Sequence, residues 1–371
     1  MNLNSPQPRK EIKNLSPYTP GKSIEQVKNE LNLNEIIKLA SNENIWGASP
    51  KAIDNIKKEL NKIYLYPQSE PIELKNKLSE KLKVSNNEII FGNGTDEIIE
   101  LIAKTYLSNE DNIVISENSF VRYKMAGILM GSEIIEVPQK DLKIDIENIL
   151  SNINEKTKAV FIDNPCNPTG TFNTKSQMED FLVEIEKAPH RPIIVIDEAY
   201  YEYTTSEEYT TALKFRDLKT PLIILRTFSK IYGLAGLRIG YGISNKEIIS
   251  NINRIRPPFN TNRLAQAAAA GAIDDDEFIQ NSAGNTKIEK EYLYNEFKKL
   301  NIDYIPSQTN FILVKLGKEN VNNIVDFLLK TGIILRPLKG YNLDDYIRIT
   351  VGRRKHNKKL INSIKEILNR K

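Results

Sequence analysis

Residues 192–203, PIIVIDEAYYEY, run from an apolar stretch directly into a carboxylate, and this pattern decides the fold. Comparable apolar runs stand at EIIF (88–91), NIVIS (112–116), EIIEVP (133–138), KAVFID (158–163) and PLIILRTF (221–228). Strands that are apolar without alternation are buried on both faces, which is typical of a parallel sheet. Segments of helical length, among them 95–107 and 174–187, separate the runs. The chain is therefore predicted to form an α/β fold, with a mostly parallel sheet sandwiched by helices.

The composition argues against several classes of protein. Among 371 residues, 52 Lys and Arg stand against 48 Asp and Glu, a net charge of +4, and the two signs are mixed rather than gathered as in a nucleic-acid-binding protein. No apolar run reaches the roughly 18 residues of a membrane span, and the first residues are not signal-like. One cysteine, Cys166, and two histidines exclude an intrachain disulfide and a Cys/His zinc site. We expect a cytoplasmic protein without a metal, a nucleic acid or a membrane as partner.

The pattern of prolines, strands and helices divides the chain into three parts. Residues 1–40 hold several prolines and one amphipathic stretch, which predicts an arm and a short helix packing on a small domain. Residues 41–258 contain the apolar runs and form the large, ligand-binding domain. From 259 an Ala-rich helical segment leads into further strands at 310–316, 332–338 and 346–351, with helices between and after them. Residues 259–371 are therefore predicted to form a smaller α/β domain.

Chemistry-bearing residues follow four of the predicted strands, where the ligands of parallel sheets collect. A glycine turn that opens a helix, Gly92–Glu97, offers backbone N–H groups to a phosphate, although such a turn also serves simply to join strand and helix. A rigid loop at 164–170 presents the amide of Asn167, and Asp197 ends a buried strand, where it binds a cation or caps the next element. The fourth run ends in Ser229-Lys230, without the motifs of a serine hydrolase.

A single ligand that suits all four strand ends must be anionic and carry a cationic nitrogen and an electrophilic carbonyl. The nitrogen would meet Asp197, and the carbonyl would meet Lys230. Pyridoxal 5′-phosphate has each of these parts, since a lysine bonds its aldehyde carbon and an acidic residue keeps its ring nitrogen protonated. The sequence therefore predicts pyridoxal phosphate as the cofactor.

The same residues resemble a known family. NPCNPTG (164–170), DEAYYEY (197–203), RTFSKIYGLAGLRIGYG (226–242) and YIRITVG (346–352) look like the fold-type-I pyridoxal-phosphate aminotransferases of classes I and II. Further stretches are similar to the histidinol-phosphate aminotransferase group, namely PYTPGKSIEQVKNEL (17–31), YLYPQ (64–68), FGNGTDEIIELI (91–102) and RPPFNTNRLAQAAA (256–269). The resemblance covers nearly the whole chain.

The resemblance implies roles for individual residues around the cofactor. Lys230 would form the Schiff base and then move the proton as the catalytic base, and Asp197 would pair with the ring nitrogen. Asn167 and Tyr200 would bond the 3′-oxygen of the ring, and Phe120 would stack on its face. The phosphate would be held by Gly94, Thr95, Asp96, Thr227, Ser229 and Arg238.

The resemblance also implies the substrates and a partner. Arg348 would bind the substrate carboxylate, and Arg336 and Tyr18 the substrate phosphate, although a surface strand residue is an alternative interpretation of Arg336. Tyr66 would reach the cofactor phosphate of a second subunit, so a homodimer is expected. The implied reaction is ping-pong transamination between L-histidinol phosphate or imidazole-acetol phosphate and glutamate or 2-oxoglutarate.

Three other functions stay open from the residues alone. They are an aromatic amino-acid aminotransferase on the same scaffold, a pyridoxal-phosphate-dependent decarboxylase of a phosphorylated amino acid, and a non-catalytic effector-binding domain. The chain departs from the usual family pattern at Cys166, at Ile45-Trp46 and at 353–356, the last of which is basic. These departures bear on the substrate side rather than on the cofactor, because Asn167 is retained.

Overall fold

The computed structural model describes residues 6–15, 17 and 21–370. Its first elements are a short 3₁₀ turn at Lys10–Asn14, helix α1 (Ile24–Leu31) and strand β1 (Ile37–Lys38). The Ser23 hydroxyl caps α1 by accepting a hydrogen bond from the N–H of Gln26 at 3.0 Å, as N-cap serines do.

A seven-stranded sheet forms the centre of the larger part. Its strands run in the spatial order β2-β8-β7-β6-β5-β3-β4. Pairing is parallel from β7 through to β4, whereas β8 is antiparallel to both of its neighbours. The strands are β2 (Ile89–Gly92), β3 (Asn112–Ser116), β4 (Glu133–Val137), β5 (Thr157–Asp163), β6 (Ile193–Asp197), β7 (Leu222–Thr227) and β8 (Gly240–Ile243). The predicted α/β class with a mostly parallel sheet is confirmed.

Helices cover both faces of this sheet. Along β6, Ile194 and Ile196 face one apolar cluster, and Ile193 and Val195 face the other, as the two-residue period of a strand requires. The predicted helices at 95–107 and 174–187 are confirmed to within one residue at each end. The helices are α2 (Pro50–Glu59), α3 (Ile72–Leu82), α4 (Thr95–Tyr106), α5 (Val121–Met130), α6 (Ile146–Ser151), α7 (Lys175–Lys187), α8 (Lys246–Asn253) and α9 (Arg263–Ala272).

Two strands of the large sheet differ from the sequence prediction. β4 lies at the edge of the sheet and is only partly buried, so burial on both faces is wrong for this run. β8 has no counterpart in the prediction, because its glycines hide the strand pattern. A Cβ atom at Gly240 would lie 2.8 Å from the backbone nitrogen of Thr95, so the close approach of α4 explains this glycine.

A second, antiparallel sheet of four strands has the order β12-β13-β10-β9. The prediction of a single strand at 332–338 is wrong, because the first half of this run pairs with β1 and the second half with β13. Apolar residues alone do not indicate which strand each half will pair with. The elements are α10 (Asp276–Lys299), β9 (Asp303–Ile305), β10 (Phe311–Lys315), α11 (Lys318–Lys330), β11 (Ile333–Ile334), β12 (Arg336–Leu338), β13 (Leu343–Thr350) and α12 (Arg354–Leu368). Helix α9 packs on α2 within the same apolar cluster that contains Ile194 and Ile196 of β6. A domain boundary between residues 258 and 259 remains a prediction.

Candidate active site

A cavity of about 200 Å³ lies beyond the carboxyl ends of β5, β6 and β7. It forms there because parallel strands end at one edge of the sheet, so residues far apart in sequence meet at that edge. Most of the predicted cofactor residues line it, together with four residues outside the prediction. The lining residues are Thr95, Asp96, Phe120, Tyr123, Asp163, Pro165, Asn167, Asp197, Ala199, Tyr200, Thr227, Ser229, Lys230 and Arg238.

One end of the cavity is an anion cradle at the start of α4. Gly94 precedes the helix with a φ of +77°, and a Cβ atom there would lie 2.4 Å from Nη2 of Arg238, so both conformation and space require glycine. Arg238 donates through Nη1 to the Ser229 hydroxyl at 3.3 Å and through Nη2 to Asp96 at 3.1 Å. Backbone N–H groups at a helix start together with a guanidinium suit a phosphate group.

Asp197 lies in the interior of the cavity and is only 5% exposed. Its two oxygens accept hydrogen bonds from the Tyr123 hydroxyl at 2.9 Å and from the N–H of Ala199 at 3.0 Å. Burial raises the pKa of Asp197 to about 6, although the hydrogen bond from Tyr123 lowers it in part. A buried carboxylate of this kind is stabilised by a cationic partner.

Lys230 follows β7, and its Nζ atom lies 5.4 Å from the centre of the Tyr200 ring. The Tyr200 hydroxyl accepts a hydrogen bond at 3.0 Å from the amide of Asn42, so the loop after β1 contacts the same site. Asn44 of that loop donates to the backbone oxygen of Ile231 at 2.7 Å. The amine and the phenol therefore share one wall of the cavity and are held by the N-terminal part of the chain.

Asn167 connects the cavity to the second sheet. Its backbone N–H donates to Asp163 at 2.7 Å, and its side-chain oxygen accepts a hydrogen bond from Nη1 of Arg348. Arg348, which is buried, also donates to the backbone oxygen of Ala40 at 3.0 Å and lies 5.3 Å from the centre of the Phe311 ring. The predicted substrate arginine is thus in direct contact with a predicted cofactor residue.

The two predicted substrate arginines are neighbours on one sheet. Arg336 of β12 is the direct partner of Arg348 in the antiparallel register with β13. Side chains of directly opposed residues project from the same face, about 5 Å apart at Cβ, and like charges in that arrangement repel each other. Arg336 is half-buried beside Arg348, and its assignment to the substrate phosphate remains a prediction.

Among the predicted site residues that the structure describes, four do not line the cavity: Gly94, which forms the cradle at its end, Tyr66, Arg336 and Arg348. Tyr66 is 80% exposed, stacks on Phe259 with ring centres 4.9 Å apart, and does not line the cavity of its own chain. Tyr18 lies outside the described residues, whereas the nearby Gly21 is close to Arg336, since a Cβ atom there would be 3.8 Å from Nη1.

Tyr123 and Asp163 line the cavity but were not among the predicted site residues. Tyr123 follows Phe120 by three residues, and helical spacing places residues so separated on one face, which was an available signal. The two rings meet edge to face with centres 5.6 Å apart. Asp163 ends an apolar run in the same way as Asp197 does, so the reasoning that found Asp197 also applies to it.

A buried ion pair supports the strand ends from the other side of the sheet. Glu198 and Arg226 are 1% and 2% exposed, and Arg226 donates to Glu198 at 2.9 and 3.0 Å. Successive residues of an extended strand point to opposite faces, so this pair lies behind the cavity-lining Asp197 and Thr227. Breaking such a pair leaves an uncompensated buried charge at a cost of about 3–5 kcal/mol. The ends of β6 and β7 are therefore held in a fixed relation.

The segments that depart from the usual family pattern contact each other. Arg353 donates to the backbone oxygen of Ile45 at 3.0 Å, and its guanidinium lies 5.7 Å from the centre of the Trp46 ring. The indole of Trp46 donates to the Thr286 hydroxyl at 3.1 Å, and Arg354 binds Glu289 at 3.0 Å. These residues join the loop at 45–46 to α10 and the start of α12.

Two structural features are absent from the described part of the chain. None of its helices combines the length and the apolar character needed to cross a membrane. In the same residues, no three His, Cys, Asp or Glu side chains are grouped so as to hold a metal ion.

Comparison with known proteins gives consistent matches over almost the full chain. The profile of the family described as aminotransferase class I and II matches residues 34–364. A histidinol-phosphate aminotransferase of Caldicellulosiruptor saccharolyticus is 44% identical over 360 residues, which is 97% of this chain and 99% of that protein. Among solved structures, the histidinol-phosphate aminotransferase of Clostridium acetobutylicum is 27% identical with a TM-score of 0.82, covering 91% of this chain and 100% of that one. The enzyme of Sinorhizobium meliloti in complex with pyridoxal-5′-phosphate shares the fold, with 24% identity, a TM-score of 0.87 and 97% of each chain covered.

Proposed function

Because this chain belongs to the family of class I and II aminotransferases, we propose that it exchanges an amino group between L-histidinol phosphate and 2-oxoglutarate, with imidazole-acetol phosphate and glutamate as the other reactants, in histidine biosynthesis. The cofactor is pyridoxal 5′-phosphate. The observation that carries the proposal is the cavity that brings Lys230, Asp197 and the anion cradle together. A cytoplasmic location belongs to the same proposal, since the reactants are charged and water-soluble.

The residues present fit the cofactor part by part. The Gly94 turn and the Arg238 guanidinium form a cradle for its phosphate, with Thr95, Asp96, Thr227 and Ser229 around it. Asp197 supplies the buried negative charge that a protonated ring nitrogen needs, and Asn167 and Tyr200 lie where a ring oxygen can accept or donate hydrogen bonds. Phe120 lines the cavity with its ring.

The chemistry that the bound cofactor supplies is an electron sink, which makes the proton on the amine-bearing carbon of the substrate removable. Lys230 would hold the aldehyde end of the cofactor through its Nζ atom. Once the substrate amine has taken its place and released it, the same Nζ atom would take and return the substrate proton. The negative charge of Asp197 keeps a proton on the ring nitrogen. Glutamate and histidinol phosphate use the site in turn, so ping-pong kinetics follow.

Arg336 and Arg348 account for the two kinds of substrate. Histidinol phosphate carries a phosphate and no α-carboxylate, whereas glutamate carries carboxylates, so one site must bind both anions. Arg336 and Arg348 are direct partners in the register of β12 and β13, and a guanidinium can give bidentate hydrogen bonds to a phosphate or to a carboxylate. We assign the substrate anion to this pair, with Tyr18 closing over the substrate phosphate.

A single-turnover absorbance experiment tests the function against its alternatives. The visible band of the bound cofactor is followed while histidinol phosphate, phenylalanine or phosphothreonine is added separately. We expect fast loss of the band with histidinol phosphate and slow loss with phenylalanine. A faster reaction with phenylalanine would show that the protein is an aromatic aminotransferase. Release of carbon dioxide from phosphothreonine would show that it is a decarboxylase. Absence of any cofactor band would overturn the whole proposal.

Arg336→Ala should lower the activity toward histidinol phosphate far more than the activity toward phenylalanine. We expect kcat/KM for histidinol phosphate to fall roughly 10- to 100-fold, because a charge-assisted, bidentate contact to the phosphate is lost. The value for phenylalanine should change less than about threefold, since that substrate has no phosphate. Steady-state kinetics with both substrates measure this, and Arg191→Ala, at an exposed position, is the control. Equal losses for both substrates would remove Arg336 from phosphate recognition.

We also propose that the protein is a homodimer in which Tyr66 serves the partner's site. An exposed apolar surface supports this, formed by Ile63, Tyr64, Leu65, Tyr66, Ile72 and Phe259, with exposed fractions from 43% to 81%. Contiguous apolar surface of this kind marks protein–protein contacts. The Tyr66 hydroxyl would then donate to the cofactor phosphate of the other subunit.

Mixing two impaired variants, assayed at a cofactor concentration that fills only intact sites, tests the sharing of Tyr66 between subunits. Tyr66→Ala should weaken cofactor binding by at least about 10-fold, through loss of a hydrogen bond to a charged group. If Tyr66 acts across the interface, a hybrid of Lys230→Ala and Tyr66→Ala subunits contains one intact site. Subunits unfolded and refolded together in equal amounts should then recover about a quarter of wild-type activity. No recovery, with hybrids demonstrated by native mass spectrometry, would place Tyr66 outside the partner's site.

A further inference from the structure

Asp163 is a second buried carboxyl group in the cofactor cavity. It ends β5 as Asp197 ends β6, and the two residues are direct partners in the parallel register. Both line the cavity, with exposed fractions of 4% and 5%. Partner residues on neighbouring parallel strands project from the same face, and the strands lie about 4.8 Å apart. The two carboxyl groups are therefore neighbours.

Only one oxygen of Asp163 accepts a hydrogen bond of good geometry within the described part of the chain, and the Cys166 thiol makes at most a weak contact with this carboxyl group. Oδ2 accepts the backbone N–H of Asn167 at 2.7 Å. Oδ1 is buried and has no hydrogen-bond partner within the described part of the chain. Buried polar atoms without a partner are rare in proteins, and one that borders a ligand cavity is a candidate for contact with the ligand.

We propose that Asp163 is a second acidic positioning residue for the cofactor, which fixes Asn167 through its backbone N–H and presents its other oxygen to the nitrogen end of the cofactor beside Asp197. This inference rests on the proposed function, because it takes pyridoxal phosphate as the ligand. Asp163 belongs neither to the family motifs quoted above nor to the anion cradle formed by Gly94 and Arg238.

The charge of Asp163 changes close to neutral pH. Burial raises its pKa to about 7. The hydrogen bond from the N–H of Asn167 opposes the rise, as the Cys166 thiol does more weakly, and the nearby Asp197 adds to it. The other titratable and charged groups around it are Tyr123 from α5, Cys166 from its own loop, Lys230 after β7, Arg348 through Asn167, and the Asp96–Arg238 pair across the cavity. Asp163 is therefore mostly neutral at pH 6 and mostly ionised at pH 8.

The sign of the effect on the cofactor follows from this charge. Below the pKa of Asp163, only Asp197 provides a negative charge beside the ring nitrogen. Above it, ionised Asp163 adds a second charge that attracts the protonated nitrogen. Removing the ability of Asp163 to ionise should therefore weaken cofactor binding at pH 8 and leave binding at pH 6 nearly unchanged.

Asp163→Asn tests this, because asparagine keeps an oxygen for the N–H of Asn167 and cannot ionise. The dissociation constant of pyridoxal phosphate is measured by absorbance titration at pH 6 and pH 8, for wild type, for the variant and for the exposed control Asp217→Asn. We expect Asp163→Asn to bind roughly 10-fold more weakly than wild type at pH 8, and within about twofold of it at pH 6. The dissociation constant of Asp217→Asn should equal that of wild type at both pH values.

Equal cofactor affinities of Asp163→Asn and wild type at both pH values would overturn the inference. So would an equal loss of affinity by the variant at pH 6 and at pH 8, because that result indicates a role in positioning Asn167 alone. Infrared spectra of the cofactor-free protein provide a second measurement. Because Asp197, with a pKa of about 6, and Glu202, whose pKa burial raises to about 8, also hold protons in this range, the band of Asp163 is read from the difference between wild type and Asp163→Asn. A protonated-carboxyl band in that difference should be present at pH 6 and largely lost at pH 8, and its absence at pH 6 would also overturn the inference. Failure of wild type to bind pyridoxal phosphate at all, with the infrared band present, would instead contradict the proposed function.

Discussion

Lys230→Ala should lower the rate of transamination by about 10⁴-fold or more, because one substitution removes both the nucleophile and the proton-transfer base. Lys230 Nζ has two tasks in the proposed reaction, and no other lysine lines the cavity in the described part of the chain. Water and free amines replace such a group only poorly, since the effective concentration of a positioned amine is lost. Rapid-mixing absorbance with histidinol phosphate measures the loss.

The control for this prediction is Lys214→Ala, which removes an exposed lysine from the same part of the chain and should leave the rate unchanged. Lys230→Ala should still bind pyridoxal phosphate in the Gly94–Arg238 cradle, detected by equilibrium dialysis. Partial return of activity with added methylamine would support loss of the amine as the cause. Turnover within about tenfold of wild type would contradict the assignment of Lys230 as the base.

Asp197→Asn should weaken binding of pyridoxal phosphate by about 10³-fold and lower turnover at saturating cofactor as well. A carboxylate and a protonated ring nitrogen in contact attract each other by on the order of 4 kcal/mol at an effective dielectric constant near 20. Asparagine keeps the size and one oxygen for the N–H of Ala199, while its amide nitrogen donates to the Tyr123 hydroxyl, and it loses this charge. Fluorescence titration of the cofactor-free protein measures the affinity.

The pH dependence of binding gives an independent check on Asp197. Since burial raises its pKa to about 6 in the cofactor-free protein, wild type should bind more weakly as the pH falls through 6, where the carboxylate becomes protonated. Asp197→Asn should lack this decrease, and the exposed control Asp180→Asn should retain it. If Asp197→Asn binds the cofactor as tightly as wild type at pH 8, another group must hold the ring nitrogen.

Local sequence patterns accounted for the central strands and pointed to the proposed cofactor residues at their ends. An apolar run such as PIIVID predicts a buried strand without knowledge of its neighbours, because burial on both faces leaves no room for polar alternation. The polar residue that ends the run then lies at the carboxyl edge of the sheet. Asp197, Lys230 and Asn167 were found in this way, and the fold class followed from the same runs.

Strands whose formation depends on a neighbouring element far away in the sequence were not predictable. The split of 332–338 into β11 and β12 depends on which strand lies beside each half, and β8 depends on glycines that fit against α4. These choices are made by strand pairing and close packing, which act between segments far apart in the chain. Arg336 and Arg348 face each other only because of the register between β12 and β13.

The sequence by itself determined the α/β class, the strand ends that carry the site, and the residues suited to pyridoxal phosphate. It did so because hydrophobic periodicity and the chemistry of single side chains are local properties. Only the tertiary structure placed Asp163 beside Asp197, the Tyr123 hydroxyl on that carboxylate and Arg348 on Asn167. Those contacts depend on the register and packing of separate elements, and such information is distributed over the whole fold rather than over any one stretch.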